Sequence, residues 1–137
     1  MTQALHSYDP KRLSTYLEEH VAGFAGLAEI AKFSDGQSNP TYKLTDTAGR
    51  HFVLRAKPPG TLLKSAHAVD REFRVMTALA ASAVPVPQML HLSGEDSPMG
   101  AQFLVMEHLN GRVFWDPALP EQPPKFRQGV YHALVRT

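Results

Sequence analysis

Proline sets the first limits on this chain. Eleven of its 137 residues are proline, about 8% against a usual ~5%, and they are clustered rather than spread. Proline has no backbone N–H and a fixed φ, so it is excluded from helix interiors and central strands. Pro117, Pro120, Pro123 and Pro124 all fall within Asp116–Pro124. That stretch reads as a linker between a body, 1–115, and a short tail, 125–137. Pro58-Pro59-Gly60 breaks a strand, and Pro85 with Pro87 ends a helix and forces an extended continuation. Pro10 is different, because the first helical position tolerates proline and Asp9 before it is a suitable N-cap.

Between these breaks the apolar spacing defines the elements. Leu13, Tyr16, Leu17 and Val21 recur at helical intervals, with Lys11, Arg12, Glu18 and Glu19 on the other face, and Gly23 and Gly26 end the helix. Three strand-like stretches follow, Leu27–Phe33, Thr41–Thr45 and His51–Arg55, separated by the turns Ser34–Pro40 and Asp46–Gly49. A second helix is expected over Ala66–Ala81, burying Val69, Phe73, Met76, Leu79 and Ala80 and leaving Asp70, Arg71 and Arg74 outside. Two more strands, Gln88–Leu92 and Gln102–Glu107, flank a loop at Ser93–Gly100, and Asn110-Gly111 closes the last. This order of hairpins with one inserted helix gives an α+β fold: a five-stranded antiparallel sheet, one packed helix and an N-terminal helix.

Composition removes several function classes. Fourteen basic against thirteen acidic side chains leave a net charge of +1, which argues against a dedicated nucleic-acid surface. The absence of cysteine removes disulfides, thiolate metal sites and a Cys nucleophile together. No apolar run approaches a membrane span and Met1–Pro10 is too polar for a signal peptide, so the expected compartment is the cytoplasm. There is no Walker-type phosphate loop, no Gly-x-Ser-x-Gly elbow and no helical histidine pair at metal-ligand spacing. The seven histidines are dispersed and read as surface or hydrogen-bonded structural residues.

Three features could carry chemistry. The turn Ser34-Asp35-Gly36-Gln37-Ser38-Asn39-Pro40 is either an ordinary polar hairpin or a set of backbone N–H groups able to cradle a phosphate. In Phe52-Val53-Leu54-Arg55 the side chains alternate, so Val53 and Arg55 share a face. Glu72 borders the core-facing stripe of the second helix and needs a cationic partner, of which Arg55 is the nearest logical one. That pair is either a structural salt bridge or part of an active site. Finally, Met106-Glu107-His108-Leu109-Asn110-Gly111 is a buried strand running into a turn. It is either only that, or a place where freed backbone groups bind the edge of a flat heterocycle.

In this order the features are the parts of a kinase N-terminal lobe. The sequence resembles the aminoglycoside phosphotransferase family of small-molecule kinases, and within it the branch fused to, or encoded beside, acyl-CoA dehydrogenases. The residues carrying the resemblance are Phe33–Leu44, His51–Gly60, Leu62–Val75 and Phe103–Gly111, with Val53–Val75 the most specific. The resemblance implies a protein-kinase-like N-terminal lobe that binds ATP. Ser34, Asp35, Gly36, Gln37, Ser38 and Asn39 would cover the phosphates, and Val53 would line the adenine pocket. Arg55 would take the α- and β-phosphates with Glu72 as its helix partner, where the wider fold more commonly has lysine. Met106 would back the adenine, and the Glu107 carbonyl and Leu109 N–H would bind its edge.

The same resemblance implies what the sequence lacks: a His-Gly-Asp-type loop with the catalytic base, a nearby Asn and a later metal-holding Asp. No catalytic or metal-binding residue is therefore assigned, and Mg would require the C-terminal lobe. The tail Lys125–Thr137 resembles the start of the helix that opens that lobe. The expected function is the ATP-binding lobe of a kinase acting on a small hydroxylated molecule, with a hydroxyacyl-CoA-type acceptor implied. It would be incomplete alone, and completed by a lobe from another chain or by self-association. The competing reading is a non-catalytic nucleotide-binding or protein-interaction module.

Overall fold

The computed structural model describes residues 8–33, 40–58, 69–110, 118–120 and 122–136. Helix α1, Pro10–His20, begins as its sequence requires: the Asp9 carboxylate accepts from the Lys11 N–H at 3.0 Å and Pro10 takes a position that needs no donor. Its apolar stripe puts Leu13 and Leu17 fully out of solvent. Five strands follow: β1 Leu27–Lys32, β2 Thr41–Asp46, β3 His51–Ala56, β4 Met89–Leu92 and β5 Phe103–Glu107. Helix α2, Val69–Leu79, is inserted between β3 and β4, and α3, Pro124–Arg136, follows β5. The strands form one antiparallel sheet in the order β1-β2-β3-β5-β4. The predicted α+β class, strand number and pairing sense all hold.

Alternation along the strands separates two faces. Tyr42 and Leu44 of β2, Phe52, Leu54 and Ala56 of β3, and Phe103 and Val105 of β5 form one core with Leu13, Leu17, Val21 and Phe24. Helix α1 therefore covers this face. Helix α2 packs from the other side, against β4 and β5. Each of the larger core side chains contributes about 1.5–3 kcal/mol through burial. Met99, in the loop between β4 and β5, joins the same core, although its loop position gave no periodic signal.

The boundaries differ from expectation in ways the chain explains. Ala80 was expected in the core stripe, but it stands exposed beyond α2. Its N–H still donates to the Met76 carbonyl, but the bonding then tightens to i→i+3, Ala81 N–H to Ala78 and Ser82 N–H to Leu79, and the helix ends there. The expected helical residues 66–68 lie outside the described residues. Pro124, assigned above to the linker, is the first residue of α3, the one helical position where its missing N–H costs nothing. Leu119, in the same proline-rich stretch, is buried.

The β2–β3 turn rests on Asp46, whose side chain is fully shielded from solvent. Its carboxylate accepts from the backbone N–H groups of Ala48, Arg50 and Ala25 and from the Arg50 guanidinium. Thr47 adds two bonds to the same partner segment, its N–H to the Gly26 carbonyl and its hydroxyl to the Ala25 carbonyl. Gly49, at φ 84°, supplies the left-handed position that lets the turn close. Burial pushes the Asp46 carboxyl up, but the three N–H bonds and the Arg50 charge outweigh it and hold it below the usual range. Because the folded value is depressed, this stabilisation is complete above the unfolded value, about pH 4, and is lost as pH falls through the folded one. Replacing Asp46 with Ala is expected to cost about 3 kcal/mol in urea unfolding, since it leaves three part-buried backbone N–H donors without their acceptor, whereas Arg50→Ala should cost about 1 kcal/mol or less.

A second polar contact ties α1 to the far strand. The Tyr16 hydroxyl meets His91 Nε2 at 2.7 Å, and His20 stacks on the Tyr16 ring. Burial, and then the neighbouring His20, hold the His91 imidazole below its ordinary value, while burial raises the Tyr16 hydroxyl. A depressed histidine favours the fold only while both states are neutral. Stability should therefore decline as pH falls from about 7 through the folded value, and His91→Gln should reduce that slope between about pH 7 and 5 in urea midpoints.

Candidate functional site

The face of the sheet turned toward α2 carries the charged residues. On β3, Phe52 and Leu54 point into the α1-side core, so His51, Val53 and Arg55 point the other way. Glu72 lies in the first turn of α2, and its carboxylate meets the Arg55 guanidinium, Nη1 to Oε1, at 3.1 Å. Both side chains are about three-quarters buried, 25% and 26% exposed. The pairing inferred from the helix stripe is thus present. The Arg55 Nε–H is buried and has no hydrogen-bond partner among the described residues. An unmatched donor of this kind costs stability unless something binds it. It fits an anionic oxygen arriving beside the ion pair, as the phosphates of a nucleotide would.

The sheet register arranges the rest. Val53 stands directly opposite Met106, and Arg55 opposite Leu104. Buried Val53 and half-buried Met106 make an apolar floor beside the cation. Glu107 lies at the end of β5, where its N–H donates to the Gln88 carbonyl and its carboxylate accepts from the Gln88 N–H, both at 2.9 Å. That double tie fixes the chain as it leaves the sheet. Leu109 follows with an exposed side chain, and its N–H meets no acceptor among the described residues. The structure therefore brings Val53, Arg55, Glu72 and Met106 onto one face, with Glu107 and Leu109 at its rim.

Ser34, Asp35, Gly36, Gln37, Ser38 and Asn39 lie outside the described residues. Their flanks are described: the Phe33 N–H donates to the Thr41 carbonyl at 2.9 Å, and Thr41 stands opposite Arg55. The segment thus leaves and re-enters the sheet at the Arg55 end. Three residues that sequence reasoning did not select share this face: Lys43 opposite Val53, His51, and His108 beside it. Odd-numbered alternation on β2 and β3 was the available signal for the first two. Among the described residues, no group of three His, Asp or Glu could hold a metal ion, and no helix is long and apolar enough to cross a membrane.

Residues 29–137 match the family described as Phosphotransferase enzyme family (APH). The chain belongs to this family. Human acyl-CoA dehydrogenase family member 11 is 42% identical over 136 residues, a match covering 96% of this chain and 17% of that protein. Mouse acyl-CoA dehydrogenase family member 10 is 46% identical over 123 residues, covering 86% of this chain and 11% of that protein. Among solved structures, a protein from Ralstonia eutropha assigned as an aminoglycoside phosphotransferase superposes with a TM-score of 0.75 at 41% identity. That match covers 92% of this chain and 35% of the other. The APH chain therefore spans about one-sixth of the human relative and about one-third of the solved structure. Its sheet and α2 are the kinase-like N-terminal lobe of the APH fold.

The Arg55–Glu72 pair is about three-quarters buried yet still reached and screened by solvent, so its net contribution to stability in this APH chain should be small. Glu72→Gln is expected to change the unfolding free energy by about 1 kcal/mol or less in urea titration.

Proposed function

We propose that this chain is the ATP-binding lobe of a phosphotransferase that phosphorylates a hydroxyl of a small molecule, with a hydroxyacyl-CoA-type acceptor the class its relatives suggest. The observation that carries the reading is the Arg55–Glu72 ion pair with the buried, unpartnered Arg55 Nε–H beside it. Glu72 takes one arm of the guanidinium fork and fixes its plane, leaving other donors of the same rigid group for α- and β-phosphate oxygens. Val53 and Met106 form the apolar floor on which adenine would lie, and the Glu107 carbonyl and Leu109 N–H would bind its edge. Residues 34–39 would cover the phosphates from the end of the sheet where Arg55 stands.

When bound, ATP supplies the transferable phosphoryl group. These residues bind and orient it, and they do not take the acceptor's proton. The sequence holds no His-Gly-Asp loop, so the catalytic base and the Mg²⁺ ligands of this reading belong to a C-terminal lobe. Helix α3 supports such a complement. Tyr131, Leu134 and Val135 are exposed on it, the last two at 62% and 85%, a surface suited to burial against another lobe or another copy.

Calorimetric titration of the 137-residue chain with ATP tests the assignment. Arg55→Ala should weaken binding at least about tenfold, the equivalent of one lost charge-assisted contact. Arg74→Ala, on the outer face of α2, should leave affinity unchanged. Equal affinity for wild type and Arg55→Ala would overturn the phosphate site.

A further inference from the structure

A second group of basic side chains shares the α2-side face and has no role in the site described above. Lys43 on β2 stands opposite Val53, two residues from Arg55's partner Thr41. His51 opens β3, and its ring meets that of His108 edge to face, with centroids 5.5 Å apart. His51 Nδ1 lies 3.1 Å from the Thr45 hydroxyl, which orients the ring, and the residue is exposed. His108 follows Glu107 and is half-buried. Three basic groups from two strands and the segment after β5 therefore converge at one end of the face.

Among the described residues, no carboxylate neutralises them. Lys43 is half-buried and makes no ion pair among the described residues. The Glu107 carboxylate is turned away to the Gln88 N–H. Glu72 is held by Arg55. Glu29 of β1, opposite Thr45, is exposed and is not paired with Lys43. Burial first, and then the charges of Lys43 and His51, hold the His108 imidazole below its ordinary value. Like charges gathered without a counter-ion destabilise the fold unless an anion completes them.

We propose that Lys43, His51 and His108 form a second anion site, for a phosphate group, at the opposite end of the Val53–Met106 floor from Arg55. His51 and Arg55 are four residues apart on one strand, about 13 Å at ~3.3 Å per residue. A single phosphate therefore cannot serve both. A phosphate dianion suits the site better than a carboxylate, since three donors from separate elements can each reach a different oxygen. Its arrival stabilises the imidazolium form of His108, so a bound phosphate raises that ring's affinity for its proton. The phosphate could be a further one on the bound nucleotide or one on a separate molecule. The site itself does not require the ATP reading.

The test is NMR titration of the histidine rings in the full chain, in inorganic phosphate and in chloride at equal ionic strength. His108 should titrate about half a pH unit higher in phosphate. The rise should vanish in Lys43→Met and persist in Arg55→Ala. Glu29→Gln, which removes a like charge to the ligand from the neighbouring strand, opposite Thr45, should enlarge it. Loss of the phosphate effect on adding ATP would assign the anion to the nucleotide, and its persistence would assign it to a second molecule; either supports the site. Identical titration in the two salts, an equal rise in acetate, survival of the effect in Lys43→Met, or its loss in Arg55→Ala would each overturn the proposal.

Discussion

The arrangement of this domain depends on one buried carboxylate. Asp46 sits where β2 ends, yet its oxygens are bound by donors from both sides of the chain: Ala48 and Arg50 in its own turn, and Ala25 in the connection between α1 and β1. An ordinary hairpin turn would only reverse the chain. This one also clamps the connection after α1, so the helix is delivered onto the face lined by Leu44, Leu54 and Phe103. Ser14 reinforces that placement by accepting from the Leu27 N–H at the start of β1. A charge out of solvent is tolerated only when every lone pair is used, and four donors meet that condition. With α1 fixed on one face, α2 and the charged residues have the other to themselves.

This two-sidedness was legible in the sequence, and its polar connections were not. Alternation in Phe52-Val53-Leu54-Arg55 placed Arg55 opposite the core, and the stripe through Val69 and Met76 placed Glu72 beside it. Both inferences use periodicity, which survives in any fold because it follows from backbone geometry. Asp46 carries no such signal, since an aspartate before Thr-Ala-Gly is read as a turn residue whether it is exposed or buried. The Tyr16–His91 contact spans 75 residues, and nothing local to either residue announces the other. Met99 and Leu119 are buried from loop segments, where no repeat exists to be read. Pro124 shows the limit from the other direction: proline marks that a boundary is near, while capping geometry decides on which side the residue falls.

The identity of the β3 cation bears on how the proposed phosphate site works. A lysine offers three donors on one atom, so engagement with a helix carboxylate and with a phosphate compete for the same point charge. Arg55 spreads its donors over a plane. Glu72 holds one terminal nitrogen at 3.1 Å while the Nε–H stays buried and unmatched among the described residues. The ion pair and the ligand contact are thus separable on one side chain. The unmatched donor has a cost of roughly 1–3 kcal/mol in the absence of a ligand, which a phosphate oxygen would remove. The site is then preorganised in orientation and destabilised in energy, and both effects favour the bound state over the free one. A lysine at position 55 could keep the charge, but it would lose this division of labour between helix and ligand.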